Sequence, residues 1–177
     1  MRHVMVATAV FGLVALGAQP ALAGSIVVKM SLTTPQGPGA AVGKVRFRDS
    51  AHGVLIDVDL HGLPPGLHGL HVHANPSCEP STAADSAVVL AGGAGPHLDP
   101  AKTGHHAGPV GAGHLGDLPA VSVGADGKAH ATLNAPHIAG VAQLKGHAVV
   151  LHAGGDNYAD EPAPLGGGGP RLACGVL

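Results

Sequence analysis

Residues 54–60 alternate apolar and polar side chains without a break, and Val54, Ile56, Val58 and Leu60 fall on one side. A period of two is the pattern of a strand with one buried face. Similar strand-like segments cover 26–32, 42–47, 69–73, 120–123, 128–133 and 147–151. Turn signals lie at 35–39 and 125–127, and no segment beyond residue 23 has a convincing helical period. We therefore expect an all-β fold, a Greek-key barrel or immunoglobulin-like sandwich of about eight antiparallel strands.

Two long segments, 74–118 and 154–170, do not fit the strand pattern. They are rich in Gly, Pro, Ala, Asp and His, in a chain with 29 glycines and 15 prolines. Loops of this length in a compact domain are usually functional or disordered. Because both contain histidine or aspartate and have a cysteine at or near an end, we expect two functional loops. The core must be aliphatic, because Phe47 and Tyr158 are the only aromatic residues besides histidine beyond residue 23.

The N-terminus has the organisation of a secretory signal peptide. A short basic start at 1–3 precedes an almost uninterrupted apolar stretch at 4–18, and Ala-Leu-Ala follows at 21–23. A membrane anchor is the alternative, but it needs about 20 apolar residues and this stretch is shorter. We predict cleavage after Ala23, which leaves residues 24–177 as one domain. No other segment is apolar enough to span a membrane.

Charge and cysteine content restrict the partners and the compartment. The formal net charge is −2, and no Lys/Arg run or series of stacking aromatics is present, which argues against a nucleic-acid partner. The two cysteines, Cys78 and Cys174, favour a disulfide in an exported protein. Two buried free thiols are the alternative.

The histidine pattern indicates metal binding. His71 and His73 are one residue apart, so on an extended strand both imidazoles point to the same side and reach one ion. His114 and Asp117 place an imidazole and a carboxylate three residues apart in a glycine-rich segment. Mixed imidazole and carboxylate ligands suit zinc, whereas an all-imidazole site suits copper. Isolated histidines are usually structural or solvated, and no role is assigned to His52, His61, His130, His137 and His147.

Five blocks resemble the copper–zinc superoxide dismutases, specifically their bacterial periplasmic branch, in order and spacing; they lie at 66–78, 97–100, 111–119, 152–158 and 166–175. The resemblance implies two metal sites that share one histidine as a bridging imidazolate. The copper ligands would be His71, His73, His97 and His152. The zinc ligands would be His97, His106, His114 and Asp117. His105, next to His106, is a competing candidate for zinc.

The same resemblance implies supporting residues. Asp156 would accept hydrogen bonds from one ligand of each metal site, and Arg171 would stand above the copper and guide the anionic substrate. A disulfide would join Cys78 to Cys174, and His68 would be structural rather than a ligand.

The implied function is dismutation of superoxide in the periplasm, with one copper and one zinc ion per subunit, and His97 and Arg171 as the catalytic residues. A non-catalytic periplasmic metal-binding protein is the alternative, and both a monomer and a homodimer fit the sequence. Three features depart from the family pattern: Leu70, Pro96 and the absence of lysine from 160–170. Leu70 should change packing more than chemistry, and positive charge near the site must come from Arg171 and Lys102.

Overall fold

A computed structural model describes residues 24–177; the predicted signal peptide, 1–23, lies outside the described residues. Eleven strands follow one another: β1 Ser25–Thr34, β2 Gly37–Ser50, β3 Gly53–Leu60, β4 Gly66–His68, β5 Leu70–His73, β6 Ser81–Thr82, β7 Val88–Val89, β8 Val121–Val123, β9 Ala129–Ala135, β10 Ala148–His152 and β11 Arg171–Val176. Helical structure in this part of the chain is limited to three 3-10 turns, Gly92–Ala94, Val141–Leu144 and Pro164–Gly167. None of its helices is long and apolar enough to cross a membrane.

Seven strands form one curled antiparallel sheet in the order β5-β10-β11-β1-β2-β3-β9, and β4 pairs with β8. β4 and β5 are consecutive along the chain and are separated only by Gly69. If they are counted as one interrupted strand, and the small β6–β7 pair is left out, the scaffold has eight strands. The predicted all-β Greek-key class is therefore confirmed.

The alternation in β3 is reproduced by burial. Val54, Ile56, Val58 and Leu60 are at most 4% exposed, and the residues between them lie on the outer face. Each such side chain contributes about 1.5–3 kcal/mol when it is removed from water. Phe47 on β2 is fully buried in the same aliphatic cluster. The core thus lies on one face of the curled sheet and is completed by β8 and by apolar residues at 98–118 and 138–144.

The sequence patterns missed one strand of the main sheet. β11 pairs with both β1 and β10, yet its centre is Ala173, Cys174 and Gly175, which carry little strand signal. The small residue at 175 is required, because a Cβ there would collide with the Val28 side chain. β2 also begins at Gly37, inside the predicted turn, and the short β6–β7 pair lies within the predicted loop 74–118.

The long loop is attached to β5 by backbone hydrogen bonds. Val72 N–H donates to the carbonyl of Gly116 at 2.9 Å, and Leu98 N–H donates to the carbonyl of Val72 at 2.8 Å. The predicted disulfide is confirmed: Cys78 and Cys174 are joined, with their Cα atoms 5.7 Å apart. The loop is therefore held to the sheet near its start and along its length, which positions its histidines over β5.

Candidate metal centre

Three groups of buried side chains could each hold a metal ion; two of them share His97, and the third is His71, His106 and Asp156. In each group the candidate ligand atoms lie within 4.8 Å of one another. The all-imidazole group is His71, His73, His97 and His152; the mixed group is His97, His106, His114 and Asp117. The structure thus brings together all seven residues that the sequence nominated as metal ligands.

β5 and the returning loop segments bring the two groups side by side. His71 forms an isolated antiparallel bridge with Asp117, and His73 forms one with His97. His152 ends β10, which pairs with β5 in the same sheet. The pair spaced by one residue on β5 therefore lies between a ligand from the neighbouring strand and ligands from the loop.

In the all-imidazole group, hydrogen bonds determine which ring nitrogens are free. A carbonyl can only accept, so Nδ1 of His73 donates to the carbonyl of Gly95 at 2.9 Å, and Nδ1 of His152 donates to that of Gly169 at 3.1 Å. Burial lowers the pKa of His73 to about 2 and that of His152 to about 3, so both rings are neutral. Their Nε2 atoms are then unprotonated and direct their lone pairs at each other across 3.3 Å. A cation between them would relieve this repulsion.

In the mixed group, three imidazoles converge on one carboxylate oxygen. Oδ1 of Asp117 lies 3.1 Å from Nδ1 of His97, 2.9 Å from that of His106 and 3.3 Å from that of His114. Burial works against the charge on Asp117, but the neighbouring imidazoles of His106 and His97 outweigh it and keep its pKa far below the usual range. Three nitrogens and one oxygen are the donor set of a closed tetrahedral zinc site.

Asp156 connects the two groups. Its Oδ2 lies 2.7 Å from Nε2 of His71, and its Oδ1 lies 2.8 Å from Nε2 of His106. Because the carboxylate accepts, both Nε2 atoms carry a proton, and only the Nδ1 atom of each ring remains for another partner. Those two Nδ1 atoms are buried without a hydrogen-bond partner. The Nδ1 of His106 is close to Asp117 but lacks hydrogen-bond geometry toward it, as expected if both are ligands of one ion.

The structure distinguishes between the two adjacent zinc candidates. His106 is 3% exposed and lies in the mixed group, whereas His105 is exposed and its Nδ1 is 3.1 Å from the carbonyl of Thr103. Burial disfavours the charged form of His106, yet the neighbouring carboxylates of Asp117 and Asp156 raise its pKa to about 9, so its Nδ1 carries a proton at neutral pH when no metal is bound. Metal binding at its Nδ1 would have to displace that proton.

His68 is also buried but is not available to a metal. Its Nδ1 lies 2.8 Å from the carbonyl of His152, and its Nε2 lies 2.9 Å from the carbonyl of Pro64. With a backbone carbonyl against each ring nitrogen, His68 ties β4 to the end of β10, and neither nitrogen is open to a metal ion.

Arg171 lies at the start of β11, opposite His152 in the register. Its guanidinium donates to the carbonyls of Ala91 and Gly95, each at 2.5 Å. Burial lowers the pKa of Arg171. A guanidinium is protonated in proteins, so the group stays charged at neutral pH. The Gly95 carbonyl therefore fixes both this cation and the His73 ring.

Leu70 and Pro96, the two departures close to the site, both accept a backbone hydrogen bond. Leu70 is fully buried, and its carbonyl accepts from Leu118 N–H at 3.2 Å. Pro96 lacks a backbone N–H. Its carbonyl accepts a hydrogen bond from Ala74 N–H at 2.9 Å.

The model of the copper/zinc superoxide dismutase (SODC) family matches residues 41–177. The chain belongs to this family. A Cu-Zn superoxide dismutase of Brucella abortus is 50% identical over 158 residues, which cover 89% of this chain and 91% of the relative. A solved structure of the Brucella abortus Cu/Zn superoxide dismutase superposes with a TM-score of 0.85 at 49% identity, covering 87% of this chain and 99% of that one.

A second solved dismutase, described as the monomeric copper, zinc enzyme of Salmonella enterica, gives a TM-score of 0.77 at 48% identity. It covers 86% of this chain and 99% of that chain. The match to these dismutases therefore extends over nearly the whole of the part that the structure describes.

Some groups that shape this dismutase centre were not identified from the sequence. The carbonyls of Gly95 and Gly169 orient two imidazoles, and Gly166 lies against Asp156. Backbone carbonyls carry no residue-specific signal. The only available signal was the density of glycine in both loops.

Proposed function

We propose that this chain catalyses the dismutation of superoxide in the bacterial periplasm, with copper in the all-imidazole group and zinc in the mixed group. Two superoxide anions and two protons give dioxygen and hydrogen peroxide. The observation that carries the proposal is a set of buried ring nitrogens that no hydrogen bond satisfies: the facing Nε2 atoms of His73 and His152, and the partnerless Nδ1 atoms of His71 and His106. Buried ring nitrogens without hydrogen-bond partners are what a pair of cation sites requires.

The proposed ligand atoms follow from the hydrogen bonds. His71 would bind copper through Nδ1, and His73 and His152 through Nε2, because their other nitrogens are engaged. His97 has its Nδ1 at the zinc group, which leaves Nε2 for copper. Copper in this site would supply the one-electron couple that oxidises one superoxide and reduces the next.

His97 is placed to handle a proton. Burial lowers the pKa of His97 to about 4, so the ring does not hold an extra proton at neutral pH without a further partner. Its Nε2 faces the all-imidazole group, where the product peroxide must be protonated. We assign His97 the role of holding and delivering a proton at Nε2, with Asp117 orienting the ring through Nδ1.

Arg171 supplies the positive charge for an anionic substrate. Its guanidinium is half-buried and fixed by two carbonyls, so it presents its charge without an ordering cost. A fixed charge beside the site raises the encounter rate of an anion, an effect for which superoxide dismutase is an established example, and salt weakens it.

The test combines metal content with turnover. The protein loaded with copper and zinc should hold one of each and remove superoxide, and the His71→Ala variant should lose copper and activity. The Arg171→Ala variant should keep both metals but react more slowly and with less dependence on salt. Arg46→Ala, which removes the same charge from the exposed face of β2, is the matched control and should behave like the parent. Two bound metals without turnover would favour the non-catalytic metal-binding alternative.

A further inference from the structure

Asp49, at the end of β2, ties three segments together well outside the metal centre. Its Oδ2 accepts from the backbone N–H of Gly24 at 2.7 Å, and its Oδ1 accepts from that of Val141 at 2.7 Å. Asp49 N–H also donates to the carbonyl of Gly24 at 2.9 Å. The carboxylate thus fastens the start of β1 to β2 and to the turn Val141–Leu144.

The position before β1 is sterically reserved for glycine. A Cβ on residue 24 would lie 2.6 Å from Cγ2 of Val141 and 2.7 Å from Oδ2 of Asp49. Both distances are shorter than real Cβ contacts, so a side chain at residue 24 would require the Val141 side chain, the Asp49 carboxylate or the residue 24 backbone to shift. The nitrogen of residue 24 is therefore held in place against Asp49 by close packing.

Gly24 is also the first residue after the predicted cleavage site. We propose that removal of the signal peptide after Ala23 creates a structural ion pair, in which the new α-ammonium group of Gly24 binds the carboxylate of Asp49. In the uncleaved chain the same nitrogen is a neutral amide. A charged donor makes a shorter and roughly twice as strong hydrogen bond to a carboxylate. Processing at Ala23–Gly24 thus stabilises the mature domain as well as releasing it.

The proposal rests on the predicted cleavage position and not on the catalytic activity, so it can fail while the dismutase function stands. Its first requirement is that the exported protein begins at Gly24, which the intact mass of periplasmic material measures. An N-terminus at any other residue would overturn it.

The second requirement is a charge effect on stability. Three forms of the metal-loaded, disulfide-bonded protein are compared by thermal unfolding: one beginning at Gly24, one acetylated at Gly24 and one that retains Ala23. All three have a donor on the nitrogen of residue 24, but only the first has the charge there. We expect its unfolding temperature to be about 2–4 °C higher than those of the other two. Because the pair is only partly buried, 1 M NaCl should reduce the difference.

The Asp49→Asn variant provides the control. Its amide is neutral, so all three N-terminal forms of this variant should unfold within a degree of one another. Each comparison is made within one background, and any general loss of stability in Asp49→Asn cancels. Equal unfolding temperatures for the three parent forms would contradict the proposal, and so would a difference that persists in Asp49→Asn.

Discussion

Oδ2 of Asp156 lies 2.7 Å from Nε2 of His71, and both side chains are fully buried although they are 85 positions apart in the sequence. The other oxygen of the same carboxylate reaches His106. The proposed copper and zinc sites are therefore connected twice, once through the shared His97 and once through Asp156. Hydrogen bonds and burial hold the imidazoles in place before any metal binds.

The Asp156→Asn substitution should weaken both metal sites. An amide has one carbonyl oxygen, so it can accept from His71 or from His106 but not from both. Loss of a partner of this kind typically lowers metal affinity 10–100-fold. Competition with a chelator measures the affinity for each metal, and Asp126→Asn, in an exposed turn, is the control. Unchanged affinities in Asp156→Asn would show that the carboxylate does not orient the ligands.

The disulfide should matter for stability and for the position of Arg171. Cys78 packs against Ala91, whose carbonyl accepts from Arg171, and the bond closes a loop with a sequence separation of 96. Replacing Cys78 and Cys174 together with serine should lower the free energy of unfolding by about 2–5 kcal/mol. Urea unfolding measures it. A variant with the midpoint of the parent would contradict the prediction.

The ion pair between Arg48 and Asp57 on the outer face should give a small acid-dependent stability. The hydrogen bond from Arg48, at 2.9 Å, and a second from Thr132 hold the pKa of Asp57 below its usual 3.8. A carboxylate whose pKa is lowered by folding stabilises the protein at pH values above its pKa in the unfolded chain. This stabilisation is lost as the pH falls through its pKa in the folded protein. Asp57→Asn should therefore cost about 0.2–1 kcal/mol at pH 7.

As the pH falls below 3.8 and through the lowered pKa of folded Asp57, the difference in stability between the parent and Asp57→Asn should shrink, because the parent side chain becomes neutral as well. Urea unfolding of the metal-free proteins at pH 7 and pH 3 measures the difference and keeps metal loss out of the comparison. If the two proteins differ more in free energy of unfolding at pH 3 than at pH 7, the ion pair of Asp57 does not stabilise the fold in the way proposed.

The sequence predicted those parts of the molecule that depend on side-chain type. The alternation in β3 follows from burial of one face, and the pair His71 and His73 follows from strand geometry. β11 was missed because its centre is made of small residues that packing requires, and packing is invisible without its neighbours. The Gly95 carbonyl was missed for a related reason, since its direction depends on the loop conformation.

Gly166 and Gly167 provide a matched test of how closely the second loop is fitted to the site. Both have left-handed backbones, with φ of 72° and 76°. A Cβ on Gly166 would collide with Oδ1 of Asp156 and lie 2.9 Å from Nε2 of His106, whereas one on Gly167 would meet nothing nearer than Cβ of Ala163, at 3.5 Å.

Alanine at either position should cost about 1–2 kcal/mol of stability through the backbone alone. Only Gly166→Ala should also displace Asp156 and weaken zinc and copper binding by about tenfold or more. Chelator competition on both variants, with urea unfolding in parallel, separates the two effects. Equal metal affinities in Gly166→Ala and Gly167→Ala would mean that the loop can move away from Asp156 without loss, and that the close approach at Gly166 does not hold the carboxylate in place.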